Sequence, residues 1–280
     1  MKLSIAYRAE YAYGEPVGLS PHIVRLFPRD ALHERVEAFR FATNESAAIH
    51  WRRDIFDNTV TQCFYPEEAD KLVFTFDARI SMAERNPFGF LLDARALRLP
   101  VEYDAREMLL LSPYLGSGGT PLPAGLTPGA GEDTVEALAA MNGWIHTNIA
   151  YERREEGEAF PPWETLSRGR GACRDTAVLL AAAMRSLGLA SRLASGYLWE
   201  SVTDPAERKA DSALHAWTEV YLPGGGWLAF DPSNGVLVDH HYITAAVGLT
   251  PADISPVSGL YYGDRFVPGE LAASLVIEPL

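Results

Sequence analysis

Cys173 stands in the stretch Gly169-Arg170-Gly171-Ala172-Cys173-Arg174-Asp175, directly ahead of the apolar run 177–184. The two glycines let the chain turn sharply into a helix that starts at the cysteine, so the sulfur falls in the first turn. There the unpaired backbone N–H groups and the positive end of the helix dipole favour thiolate over thiol, and the neighbouring Arg174 adds to the effect. The same N–H groups point at any oxyanion formed on a carbonyl that the sulfur attacks.

A nucleophile of this kind needs a base and a group that orients the base. His215 lies 42 residues on, in Ala213-Leu214-His215-Ala216-Trp217-Thr218-Glu219-Val220, a strand pattern that puts His215 and Trp217 on one face. Asp231 follows 16 residues later, in Trp227-Leu228-Ala229-Phe230-Asp231-Pro232, at the end of the next strand. Pro223-Gly224-Gly225-Gly226 between them reads as a hairpin turn, and pairing the two strands brings His215 and Asp231 together. Each residue alone has a plainer explanation: a small hydrophobe, a structural strand histidine, a turn-forming Asp-Pro. Their order and flanks point instead to a Cys-His-Asp triad.

The elements that must position these residues occupy the second half of the chain. Val135, Leu138, Asn142, Ile145 and Ile149 fall on one helical face, with Glu132-Asp133-Thr134 supplying a capped, acidic start. A second helix is expected over about 173–187, closed by Gly188. Strands follow at 191–199, 214–222, 227–230, 242–247 and 272–277. Helices followed by antiparallel strands make an α+β domain, taken as residues 132–280. Residues 1–111 read differently. Apolar and polar residues alternate at 3–7, and short runs recur at 23–27, 36–41, 48–51, 59–65 and 72–80 with turn residues between, the pattern of an antiparallel β-sandwich. Residues 112–131 hold six Gly and four Pro and read as a linker.

Composition narrows the function classes. With 48% hydrophobic and 22% charged residues the 280-residue chain is globular, and its length favours two domains. No apolar run approaches the roughly 20 residues that span a bilayer, and the first residues have no apolar leader, so a cytoplasmic location is expected. The net charge of -13, with basic residues in no run longer than two, disfavours nucleic acid and anionic membranes as partners. Two cysteines are too few for a disulfide framework.

The stretch GACRDTAVLLAAAMRSLGLASRLASGYL resembles the core motif of the transglutaminase-like superfamily, and HAWTEVYLPGGGWLAFDPSNG resembles its His-Ala-Trp and Trp-x-x-Asp-Pro pair. The first hundred residues, with Trp51-Arg52-Arg53-Asp54, resemble the bacterial transglutaminase-like N-terminal region, and 239–248 and 258–263 resemble the tail of the same bacterial group. The resemblance implies a papain-like α+β core, with Cys173 as nucleophile, His215 as general base then acid and Asp231 as its orienter. It implies acyl transfer through a thioester: a cysteine peptidase or amidase acting on a peptide or protein if water resolves the thioester, a transglutaminase if an amine does. A non-catalytic binding scaffold is the third reading. Neither Trp144 nor Trp163 falls in a matching motif, but both are candidates for the tryptophan that serves as oxyanion donor in eukaryotic transglutaminases. The calcium-binding segments of those enzymes are not found here, and no cofactor or metal is expected. The sequence leaves substrate identity and oligomeric state open.

Four further residue groups stand out. Asp175 reads as a first-turn carboxylate facing away from the thiol. Trp217 and Tyr197 are candidates to line a cleft, with core packing as the alternative. His240 and His241, if they lie in a strand, point to opposite faces and make no joint metal site. Cys63 reads as a structural strand residue.

Overall fold

The computed structural model describes residues 1–116, 121–154, 157–199, 214–263 and 269–280. Parts of the expected linker (117–120), of the polar loop after the first core helix (155–156) and of the approach to His215 (200–213) lie outside the described residues.

The first eighty residues form six strands: β1 (Lys2–Leu19), β2 (His22–Val24), β3 (Glu34–Ala42), β4 (Ala48–Arg53), β5 (Thr59–Phe64) and β6 (Ala69–Met82). Alternation dictates their facing. Leu3, Ile5, Tyr7 and Ala9 of β1 are buried, as are Leu72, Phe74, Phe76, Ala78, Ile80 and Met82 of β6, while their neighbours face outward. β6 lies between β1 and β3 in one antiparallel sheet, and β5 lies between β2 and β4 in another. Cys63 is fully buried in the core of this sandwich, the structural position expected of it.

The chain then changes character. After α1 (Ala105–Leu111) comes α2 (Thr134–Asn148), which starts where the sequence places it: the Asp133 carboxylate accepts from the Val135 and Glu136 N–H groups. Two short segments, β7 (Ala150–Tyr151) and β8 (Arg170–Gly171), pair in parallel around α3 (Pro162–Arg168). α4 (Cys173–Ser186) follows, and Gly188 just beyond it takes the left-handed conformation that ends it. Next come β9 (Ser191–Leu198), β10 (Leu214–Leu222), β11 (Gly226–Asp231), β12 (Val236–Leu237) and β13 (Tyr242–Gly248), in the sheet order β12-β11-β10-β9-β13, all antiparallel.

α4 lies on this sheet. Leu179, Leu180, Ala183 and Met184 pack with α2, while Ala177 and Ala181 face Leu193 and Ala216 of the sheet. Burying each leucine or methionine contributes about 1.5–3 kcal/mol. Two side chains also tie the layers together: Thr218 Oγ1 donates to the Ala177 carbonyl at 2.8 Å and Ser191 Oγ to that of Ala181 at 2.9 Å.

Two features depart from the expected layout. Ala96, Leu99, Val101 and Leu126 are buried in the same core as α2 and α4, so the packing of the second core begins near residue 94, and the segment expected as a linker contributes Leu126 to it. The C-terminal segment also leaves the core. After α5 (Pro251–Ile254), β14 (Val257–Ser258) pairs with β2, β15 (Tyr261–Tyr262) pairs with the end of β1, and β16 (Gly269–Pro279) runs antiparallel to β1 from Leu3↔Pro279 to Tyr13↔Gly269. The strand expected at 272–277 thus completes the sandwich instead of the core sheet. Apolar alternation specifies a strand but does not say which edge it joins. The two units share packing as well: Tyr197 and Ile243 of the core sheet are buried in the sandwich core, with Tyr197 Oη donating to the Leu26 carbonyl at 2.6 Å.

Candidate active site

Cys173 is the first residue of α4, and the residue ahead of it, Ala172, is extended. The two glycines before it do different jobs. Gly169 ends α3 at φ 61°, in the left-handed region, whereas a Cβ on Gly171 would lie 2.9 Å from the Asp175 Cβ. Asp175 is fully buried. One of its oxygens accepts from the Ala172 N–H at 2.8 Å, the other from the Phe160 N–H at 2.8 Å, and Arg154 Nη2 reaches both at 2.6 and 2.9 Å. Its role is structural, as expected: it holds the helix start and pins Arg154 and Phe160 beside it.

His215 and Asp231 meet across the hairpin, with His215 Nε2 and Asp231 Oδ2 2.8 Å apart and both side chains buried. β10 and β11 pair only from Thr218↔Phe230 to Leu222↔Gly226, so both residues lie beyond the last paired rung, where their side chains can converge. Cys173 and His215 act on one another by charge and hydrogen bonding, and the Ala216 backbone adds to the hold on the thiol.

The electrostatics follow from these contacts. Burial pushes the Cys173 thiol up, but the His215 charge, its hydrogen bond and the Ala216 N–H outweigh burial and hold the thiol below its ordinary value. Burial pulls His215 down, yet Asp231 and Cys173, by charge and hydrogen bond, raise it well above the ordinary histidine value. Asp231 is likewise pushed up by burial and brought below the usual carboxylate value by His215, Tyr242 and Asn234. The favoured state is a thiolate–imidazolium pair beside an ionised carboxylate. Cys63 is the contrast: burial pushes it up to about 11, with a hydrogen bond from Tyr65 opposing.

Asp231 is held from several sides. Its Oδ1 accepts from the Ser233 N–H at 2.8 Å and the Asn234 N–H at 3.3 Å, the side-chain turn that Asp-Pro suggests. Its Oδ2 takes Asn234 Nδ2 at 2.7 Å and Tyr242 Oη at 2.7 Å in addition to His215. Sequence reasoning assigned Tyr242 only to a strand and missed its part here. A phenol at the start of a strand gives no signal of its own until the sheet order sets β13 beside β9. Thr176, bonded to Ser233 at 3.0 Å, ties α4 to the same turn.

The aromatic candidates are placed elsewhere. Trp217 is fully buried against Tyr242 and Ala229, and Tyr197 is fully buried against Phe76 of the sandwich. Neither presents a surface to a substrate; both are packing residues, since strand alternation shows a shared face but not whether that face is covered. Trp144 packs in the helix-side core, where a Cβ at Gly125 would overlap its indole. Trp163, on α3, is 60% exposed.

His240 and His241 correct a further expectation. They lie in a turn ahead of β13, so strand alternation does not apply to them, and their rings sit side by side with centroids 4.3 Å apart. Together with Asp239 they form, among the described residues, a group whose three ligand atoms lie within 4.8 Å of one another and could hold a metal.

Residues 121–232 match the model of the transglutaminase-like superfamily core, and residues 3–81 match that of the bacterial transglutaminase-like N-terminal region. An uncharacterized protein of Mycobacterium leprae is 24% identical over 263 residues, covering 94% of each chain. One of Mycobacterium bovis is 29% identical over 282 residues, covering 92% of this chain and 87% of the relative. A crystal structure from Cytophaga hutchinsonii, provisionally named a cysteine protease, shares the fold at a TM-score of 0.71 and 18% identity, over 100% of this chain and 91% of that one. The chain thus carries a transglutaminase-like superfamily core behind a bacterial transglutaminase-like N-terminal region.

Proposed function

We propose that this protein is a cysteine-dependent hydrolase that cleaves peptide or isopeptide bonds. The observation that carries the reading is the buried 2.8 Å contact of His215 with Asp231, next to a Cys173 thiol at the start of α4 that His215 holds below its ordinary value. The thiolate attacks the amide carbonyl, and the oxyanion forms at the start of α4, where first-turn N–H groups have no intrahelical acceptor. Imidazolium His215 then protonates the departing amine, leaving a thioester on Cys173 and a neutral ring. That ring takes a proton from water as the water attacks the thioester, releasing the acid and restoring the ion pair. Asp231 keeps its proton-free form throughout and fixes the ring.

An amine in place of water at the last step gives transglutaminase-type acyl transfer from the same intermediate. The test is mass spectrometry of the intact protein and of a peptide mixture after incubation, wild type against Cys173→Ala. Hydrolysis yields new peptide termini with the wild type alone. Amine-coupled products without new termini would replace hydrolysis by acyl transfer, and identical spectra for the two proteins would overturn both.

A further inference from the structure

The turn that delivers Tyr242 to Asp231 carries a second group of side chains that the proposed chemistry does not use. Asp239 Oδ1 lies 2.9 Å from His241 Nδ1, and Asp239 Oδ2 lies 4.0 Å from His240 Nδ1. His240 Nδ1 is shielded from solvent and has no hydrogen-bond partner among the described residues. A buried imidazole nitrogen without a partner is costly, and the Asp239–His241 bond leaves it unexplained. The three side chains are nevertheless 21 to 30% exposed, so an ion can reach them from solvent. The backbone around them is fixed: the His241 N–H donates to Asp239 Oδ1 at 2.9 Å, the Trp199 N–H donates to the His241 carbonyl at 2.8 Å, and the Trp199 ring stacks on His241 with centroids 5.4 Å apart.

We propose that Asp239, His240 and His241 form a binding site for a divalent transition-metal ion of the zinc type. Two imidazole nitrogens and one carboxylate oxygen suit zinc and its neighbours, whereas calcium and magnesium take oxygen ligands. Ligand atoms within 4.8 Å of one another close onto bonds of about 2.0–2.2 Å with shifts of less than about 1 Å each. Three protein ligands leave a position for water, the open form of a zinc site. The ion would take up the nitrogen that the protein leaves unpaired and would sit next in sequence to Tyr242, outside the Cys173 site.

The test is titration calorimetry with zinc chloride on the full-length Cys173→Ala protein, which removes the active-site thiolate as a competing ligand. One equivalent is expected to bind. Adding Asp239→Asn or His240→Gln, the latter keeping a polar side chain of similar reach, should weaken binding at least about tenfold, the low end of what loss of even an outer-shell partner produces. The proposal is overturned if the Cys173→Ala protein takes up no zinc, or if both double variants bind as tightly as their parent. Circular dichroism matching the parent's fixes the loss on the ligands and not on the fold. The readout is independent of hydrolysis, so this site and the proposed activity stand or fall separately.

Discussion

Tyr242 and His215 donate to the same oxygen, Oδ2 of Asp231, at 2.7 and 2.8 Å. The phenol is buried and its ring lies edge-on to Trp217, so it holds one geometry. With Asn234 Nδ2 as a third donor at 2.7 Å, the oxygen is crowded on every side and the direction from which the imidazole approaches is fixed. Tyr242 is therefore a positioning residue for His215, acting through Asp231. Tyr242→Phe should lower kcat/KM by roughly tenfold, the value of one well-placed hydrogen bond to a charged group, and cost about 1.5–3 kcal/mol of stability. Both are measurable, by peptide hydrolysis and by urea unfolding. A variant that loses stability but keeps its rate and pH profile would leave Tyr242 a purely structural part.

The two cysteines should differ sharply in reactivity. Cys173 is held below the ordinary thiol value by His215 and the Ala216 N–H, while burial raises Cys63 to about 11. Iodoacetamide near pH 7 should therefore label Cys173 at least about a hundredfold faster, because only the thiolate reacts. His215→Ala should slow Cys173 labelling at that pH and leave Cys63 unchanged. Equal and slow labelling of both would count decisively against a nucleophilic Cys173.

The ion pair also sets the pH dependence, and for stability the two partners oppose each other. His215, raised in the folded state, contributes stability that declines as pH rises from its unfolded value of about 6.5. Cys173, lowered, contributes stability that grows as pH rises toward its unfolded value of about 8.5. Between those values the folded pair and the unfolded pair each carry one proton, so the contributions cancel. Stability from the pair should be flat from about pH 6.5 to 8.5 and fall on either side. Activity should rise on an acid limb set by Cys173 and fall on an alkaline limb set by His215. Urea midpoints and kcat/KM against pH, wild type beside Cys173→Ala, read both. Cys173→Ala keeps only the declining His215 contribution, so the wild-type midpoint should climb across this window relative to the variant, and the absence of any relative climb would contradict the pairing.

Asp175 joins α4 to the loop residues Arg154 and Phe160. Asp175→Ala strands the Arg154 guanidinium and frees the Ala172 and Phe160 N–H groups. Breaking a buried ion pair from one side costs about 3–5 kcal/mol, with Arg154, itself partly exposed, drawing the figure toward the lower end. Cys173 alkylation should slow as well, since the helix start it sits on is no longer fixed. Unchanged unfolding and labelling would show that Asp175 does not anchor that loop.

Stopping the chain at residue 268 should expose one side of β1. Leu3 to Tyr13 would lose their partners on β16 and present unpaired N–H and C=O groups, an edge that recruits other chains. Size-exclusion chromatography should show larger species at concentrations where the full chain does not form them. An unchanged elution volume would mean that β16 is dispensable for closing that edge.

The sequence is most informative where one residue type and its neighbours decide the outcome. The apolar alternation of β1 and β6, the Asp133 cap and the start of α4 at Cys173 are all local, and all are found where they are expected. The hairpin carrying His215 and Asp231 is nearly local, because its turn is explicit. Features set by distant pairing are hidden. Tyr242 reaches Asp231 only because β13 adds beside β9, Arg154 finds Asp175 across a loop, and β16 could join either unit. Trp217 and Tyr197 mislead for the same reason, since what covers their faces is contributed by remote parts of the chain.

The return of β16 to β1 bears on how the molecule is made. β1 can take β6 on one side once that strand has been made, but its other neighbour follows only after the whole core has been synthesised. At roughly 5–20 residues per second that interval is about 10–40 s. During it the sandwich has a long open strand, and a second nascent chain can offer the same β16 to it. Two chains made close together thus have a route to exchange this strand, and the dimer so formed would keep two intact Cys173 sites.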